Sequence, residues 1–164
     1  MAGLKIALDA MSVVTKSNVF VSSNDHGLAS RFVTKGNGLC HLIHRGTDGK
    51  TNYDSVSITM SVSDLRHHGF VPRIVVDASH GNSRKDHKNQ VSVITDVIGQ
   101  VASGSQHVAG FLYESYLENG NQSIPQDLSD LLPDVSVTDA CDGWETTERV
   151  LREAHAKLSQ RKKK

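Results

Sequence analysis

Short apolar runs alternate along the chain with longer segments of helical spacing. The runs NVFVSS (18–23), LCHLIHRG (39–46), RIVVDASH (73–80) and VAGFLYES (108–115) each end in polar or charged residues. Such runs suit strands covered on both faces, as in a parallel sheet. Between them, Val91, Ile94, Val97, Ile98 and Val101 recur at helical spacing. Val150, Leu151, Ala154 and Leu158 do the same near the end, with Asp142 and Glu145 as a capping pair at that helix's start. The opening GLKIALDAMSVV reads as a helix through Leu4, Leu8 and Met11. SVSITMSVSDL (55–65) is ambiguous, because Val56, Ile58, Met60 and Val62 alternate like a strand. The β-α rhythm favours a helix there, with Val56, Met60 and Leu65 on one face. The resulting order, α-β-α-β-α-β-α-β-α, predicts an α/β chain of parallel, right-handed β/α units forming one domain over 1–164. GNQSIPQDLSDLLPD (120–134) is the longest predicted loop.

Charge and composition narrow the function. At 164 residues the chain is long enough for one sizeable core. Eighteen basic and eighteen acidic residues cancel, which argues against a dedicated nucleic-acid or membrane-surface binder. The terminal RKKK (161–164) reads as a solvated tail. No apolar run approaches the ~20 residues of a membrane span, and no signal-peptide pattern opens the chain. Two cysteines, Cys40 and Cys141, argue against a disulfide framework and fit a reducing cytoplasm. Nine histidines direct attention to metal or phosphate chemistry.

In β/α folds chemistry gathers at the carboxyl ends of the strands. Those ends carry His44 and Arg45, then Asp77 and His80, then Glu114; Asp139 and Cys141 follow in TDAC before the last helix. One histidine and two carboxylates can converge on a divalent metal, and the mixed nitrogen and oxygen set suits manganese, iron, cobalt or zinc. Arg45 alongside offers a fork for phosphate or carboxylate. Singly, His80 reads as a structural hydrogen-bonding residue, Glu114 as a rim carboxylate and Asp139 as a helix-start charge. Their coincidence at one predicted rim favours the metal. Arg84, Lys85 and Lys88 read as solvated face, Cys141 as a small buried residue, and Tyr113, Tyr116 and Trp144 as packing residues.

Four segments carry a specific resemblance: TKGNGLCHLIHRGTDGKTNYD (34–54), VVDASHGNSRKDHKNQ (75–90), YESYLENGNQSIP (113–125) and VTDACDGWETTERVLR (137–152). In this order they resemble the carboxyl-terminal half of class I 3-deoxy-D-arabino-heptulosonate 7-phosphate (DAHP) synthases, closest in flavour to the fungal, feedback-regulated type. The resemblance implies half of a (β/α)8 TIM barrel. It implies condensation of phosphoenolpyruvate with erythrose 4-phosphate, with release of phosphate, at the entry to the shikimate pathway of aromatic amino acid biosynthesis. It also implies that His80, Glu114 and Asp139 match three of four metal ligands, and that Arg45 matches an arginine holding the phosphate of phosphoenolpyruvate. The metal would act as a Lewis acid on the sugar aldehyde.

The departures are as specific. The family's fourth ligand, a cysteine on its first strand, has no counterpart by position, and the Lys-Pro-Arg-Thr segment gripping the sugar phosphate is absent. His44 replaces an aliphatic residue, Thr47 a glycine and Asp142 an apolar residue; SSNDHG (22–27) lacks the usual TK. An incomplete barrel has open strand edges and an exposed interior face. A homo-oligomer or a complementing amino-terminal half is therefore expected. Three roles follow: a synthase or a component of one, possible supplier to a specialised pathway; a non-catalytic partner or regulatory subunit of a full-length synthase; or a different activity on a homodimeric barrel.

Overall fold

The chain's computed structural model describes residues 2–47 and 49–161; the basic tail 162–164, expected to be solvated, lies outside them. In chain order the elements are α1 (Ala2–Val14), β1 (Val19–Ser23), β2 (Ala29–Val33), β3 (Leu42–His44), α2 (Ser55–His67), β4 (Ile74–Asp77), α3 (Gln90–Ala102), β5 (Val108–Leu112) and α4 (Trp144–Arg161).

Three strands form a parallel sheet in the order β3-β4-β5, with Leu42 opposite Ile74, His44 opposite Val76, and Asp77 opposite Leu112. Its central strand is the most buried. Ile74 and Val76 are wholly covered, and they join Leu42, Leu65, Val93, Ile94, Val97 and Val150 in the core. Four apolar side chains of α3, Val93, Ile94, Val97 and Ile98, thus close the core, and the last three belong to the helical periodicity read from the sequence. The order β3-α2-β4-α3-β5-α4 makes these the parallel β/α units read from the sequence. Ile43 and Leu112 stand about half exposed on the sheet, at 48% and 45%.

The segment 55–65 is helical. The Asp54 side chain caps it by accepting from the Val56 and Ser57 amides, and the Ser57 bonds hold its carboxyl below the usual range. The buried face is Ile58, Ser61, Val62 and Leu65 rather than the expected Val56, Met60 and Leu65; Val56 and Met60 face solvent. The segment 120–134 is a loop with one 3-10 turn, Leu128–Asp130. The Gln122 side chain ties it across to both backbone groups of Leu132.

Other expectations fail. The run 18–23 does not enter the parallel sheet, and no helix follows it. It pairs antiparallel with β2 as a hairpin, every residue of β1 being exposed. The turn explains this: Asn24 accepts from the amides of His26 and Leu28, and Gly27 supplies a φ of 75°. The hairpin carries a Phe20–Phe32 stack at 5.7 Å. Trp144 and Leu151 are exposed rather than packed. The Asp142 carboxylate accepts from the Tyr113 hydroxyl instead of capping α4, and burial with that bond pushes the Tyr113 hydroxyl well above its ordinary value.

Candidate metal centre

The rim is built by the segment that follows β4. Asp77 ends the strand and turns the chain back on itself. One oxygen of its buried carboxylate accepts from the Ser79 amide and hydroxyl; the other lies 2.9 Å from His80 Nδ1. A carboxylate only accepts, so Nδ1 carries a proton toward it, and in the neutral ring Nε2 is the nitrogen with the lone pair. His80 is held with φ 52°, a left-handed backbone that favours glycine, and Arg84 and Lys85 follow at 56° and 61°. Such strain concentrates at functional sites.

His80 Nε2 points at two carboxylates, 3.7 Å from Glu114 Oε1 and 3.9 Å from Asp139 Oδ2. These separations exceed hydrogen-bonding reach, so the groups face one another without bonding. One ligand atom from each of His80, Glu114 and Asp139 lies within 4.8 Å of the other two. Burial is the main cause raising the Glu114 carboxyl above its ordinary value; His80 opposes it, and Asp139 and Asp77 add to it. A carboxylate raised in this way by burial and like charge gains from a nearby cation. The donor set, with Asp77 orienting the imidazole from behind, therefore fits a divalent metal.

Arg45 sits beside this group. Its Nε is 4.0 Å from Asp77 Oδ2, and its side chain is 62% exposed. An ion pair this exposed and this long binds the guanidinium weakly, leaving its fork open to an anion. Arg45, His80, Lys85, His87, Glu114 and Asp139 line one pocket of about 300 Å³. Lys85 is exposed as expected, yet it borders this pocket.

His44 does not join the site. It points into the fold, where Nδ1 donates to the Asn52 carbonyl at 2.7 Å and Nε2 accepts from the Ser61 hydroxyl at 2.9 Å. Burial lowers its pKa and keeps it neutral. Cys141 is partly buried, with Sγ 3.5 Å from the Asp139 carbonyl. It lies outside the His80 cluster.

Other contacts hold the rim in ways that residue types alone do not reveal. The Asn82 amide donates to the His44 and Asp77 carbonyls, and its oxygen accepts from the Asn52 amide. The loops after β3 and β4 touch backbone to backbone: a Cβ on Gly46 would stand 2.7 Å from Asn82 N, and one on Gly81 would stand 2.5 Å from Thr47 N.

Comparison with known proteins gives the family. Residues 2–152 match the family model described as DAHP synthetase I family. A Schizosaccharomyces pombe protein named putative phospho-2-dehydro-3-deoxyheptonate aldolase is 39% identical over 158 residues, 96% of this chain and 43% of its own. A Haemophilus influenzae phospho-2-dehydro-3-deoxyheptonate aldolase is 37% identical, covering 98% of this chain and 44% of its own. A solved structure of the Francisella tularensis phospho-2-dehydro-3-deoxyheptonate aldolase superposes with a TM-score of 0.90 at 32% identity, over 96% of this chain and 46% of that one. The chain thus spans less than half the length of these three proteins.

Proposed function

The chain belongs to the DAHP synthetase I family, and from that premise we propose that it works in the condensation of phosphoenolpyruvate with erythrose 4-phosphate to DAHP and phosphate. The observation that carries this reading is the approach of His80 Nε2 to Glu114 and Asp139 while Asp77 occupies Nδ1. His80, Glu114 and Asp139 would hold a divalent metal; manganese, iron, cobalt and zinc all accept this nitrogen and oxygen set. Such a metal supplies Lewis acidity toward a carbonyl oxygen.

The chain's own residues do the rest of the work assigned here. Asp77 keeps the His80 proton on Nδ1 and fixes the ring's direction. Arg45 presents its fork to the phosphate of phosphoenolpyruvate, and the pocket brings that anion beside the His80 cluster. The two substrates are both anionic, so the cationic side chains of the rim orient them against the acidic cluster. The two cysteines are free, in keeping with action in a reducing cytoplasm.

The activity requires the remainder of the fold, supplied by a chain carrying the amino-terminal half or through a homo-oligomer. The open edges of β3 and β5 and the half-exposed Ile43 and Leu112 support this. None of the described helices is long and apolar enough to cross a membrane.

Two measurements test the reading. Mn²⁺ titrated calorimetrically into the chain is expected to bind, and to bind no longer in His80→Ala. Phosphoenolpyruvate consumption with erythrose 4-phosphate and Mn²⁺ is expected once the complement is present, and to vanish on chelation. Folded chain that takes up no divalent metal would overturn the proposal. Metal uptake without turnover in the completed barrel would favour a non-catalytic regulatory partner.

A further inference from the structure

The last β5 residue paired with β4 is Leu112, opposite Asp77. Glu114 lies two residues further on, past the end of that ladder, yet its backbone is bonded on both sides. Gln90, the first residue of α3, is wholly buried. Its Nε2 donates to the Glu114 carbonyl at 3.0 Å, and its Oε1 accepts from the Glu114 amide at 2.8 Å. This is the pattern a neighbouring strand would provide, reproduced by one side-chain amide from 24 residues away. The Asp142 amide donates to the same carbonyl at 3.1 Å.

We propose that Gln90 is a positioning residue for the metal centre, holding the Glu114 peptide so that its carboxylate faces His80 Nε2. The direction of the amide is determined, since only Nε2 can meet the carbonyl and only Oε1 the amide. His80 stands on the segment that joins β4 to α3, and Gln90 is the helix residue in which that segment ends. One segment therefore presents the imidazole and sets the carboxylate opposite it. Without the clamp, the part-buried Glu114 N–H loses its Gln90 partner and the carbonyl keeps only the Asp142 bond.

The inference rests on the metal reading above for one of its two tests. Gln90→Met preserves length in a buried position and removes both bonds. Calorimetric titration with Mn²⁺, run well below the melting temperature of each protein, is expected to show affinity about 10- to 100-fold weaker than in the unaltered chain, as for other groups behind a ligand. Equal affinity within twofold in folded Gln90→Met overturns the proposal and leaves Gln90 a core residue. The second test needs neither metal nor variant. Amide hydrogen exchange in the unaltered chain is expected to show the Glu114 N–H as protected as the β5 amides. Exchange at the rate of open loop amides overturns the clamp even if Gln90→Met does not fold. If the unaltered chain binds no Mn²⁺, the metal reading falls by itself and the exchange rate decides the clamp.

Discussion

Two strands of similar texture have opposite fates. VFVSS (β1) and IVVD (β4) are both short, valine-rich and end in polar residues. β4 is flanked by β3 and β5 and covered by helices, and Ile74 and Val76 are wholly buried. β1 pairs only with β2, and all five of its residues are exposed. Strand-forming chemistry is common to both; burial comes from what lies alongside. The difference also locates function. The strand with fixed neighbours on both sides ends in a rim where Asp77, His80 and Glu114 hold defined relations. The hairpin ends in a self-contained turn.

The largest effect that could break this comparison is in the core. Ile74→Ala is expected to cost about 2–5 kcal/mol in chemical denaturation; a cost near that of a surface change would mean β4 is not the centre of the fold. Next comes the rim. Asp77→Asn puts an amide against His80 Nδ1 and is expected to weaken Mn²⁺ binding about 10- to 100-fold by calorimetry. A smaller effect concerns His44. Its folded pKa lies below the ordinary value of 6.5, so the unfolded chain takes the proton first. Its contribution is therefore full above pH 6.5 and is lost as pH falls below it, at up to about 1.4 kcal/mol per pH unit. Denaturation curves at a series of pH values should show this slope, and His44→Leu should flatten it. The smallest effect is expected in the hairpin, where Val21→Thr should stay within about 0.5 kcal/mol. A larger loss would show that β1 is covered in solution.

Much of the fold was legible because parallel strands and amphipathic helices write their burial into spacing. The α3 face at Ile94, Val97 and Ile98 and the α1 face at Leu8 and Met11 are buried as read. The ambiguous segment 55–65 was resolved as helix by β-α rhythm, while its buried face was misread by setting Val56 and Met60 beside Leu65 in place of Ile58 and Val62. The hairpin was missed because a five-residue apolar run carries no record of its partner. Its turn at 24–27 carries Asn and Gly, residues that favour a tight turn, but the segment was read only as a departure from the family's TK. At the rim, the gathering of His80, Glu114 and Asp139 could be anticipated because strand ends share one edge. The support by Gln90 and Asn82 could not, because an amide that bonds backbone 24 or 38 residues away has no local signature. His44 shows the converse: its position at a strand end resembled a site residue, while its two bonds inward make it part of the core.

The contact between Gly46 and Gly81 has a consequence for how this rim can evolve. Neither position has room for even one methyl group, so the loops bearing Arg45 and His80 cannot change their spacing by drift at those points. A lineage retuning this pocket would have to do so through side chains at positions such as 83, 85 and 87. In a library of random variants, 46 and 81 should therefore return glycine while exposed positions such as 85 diversify.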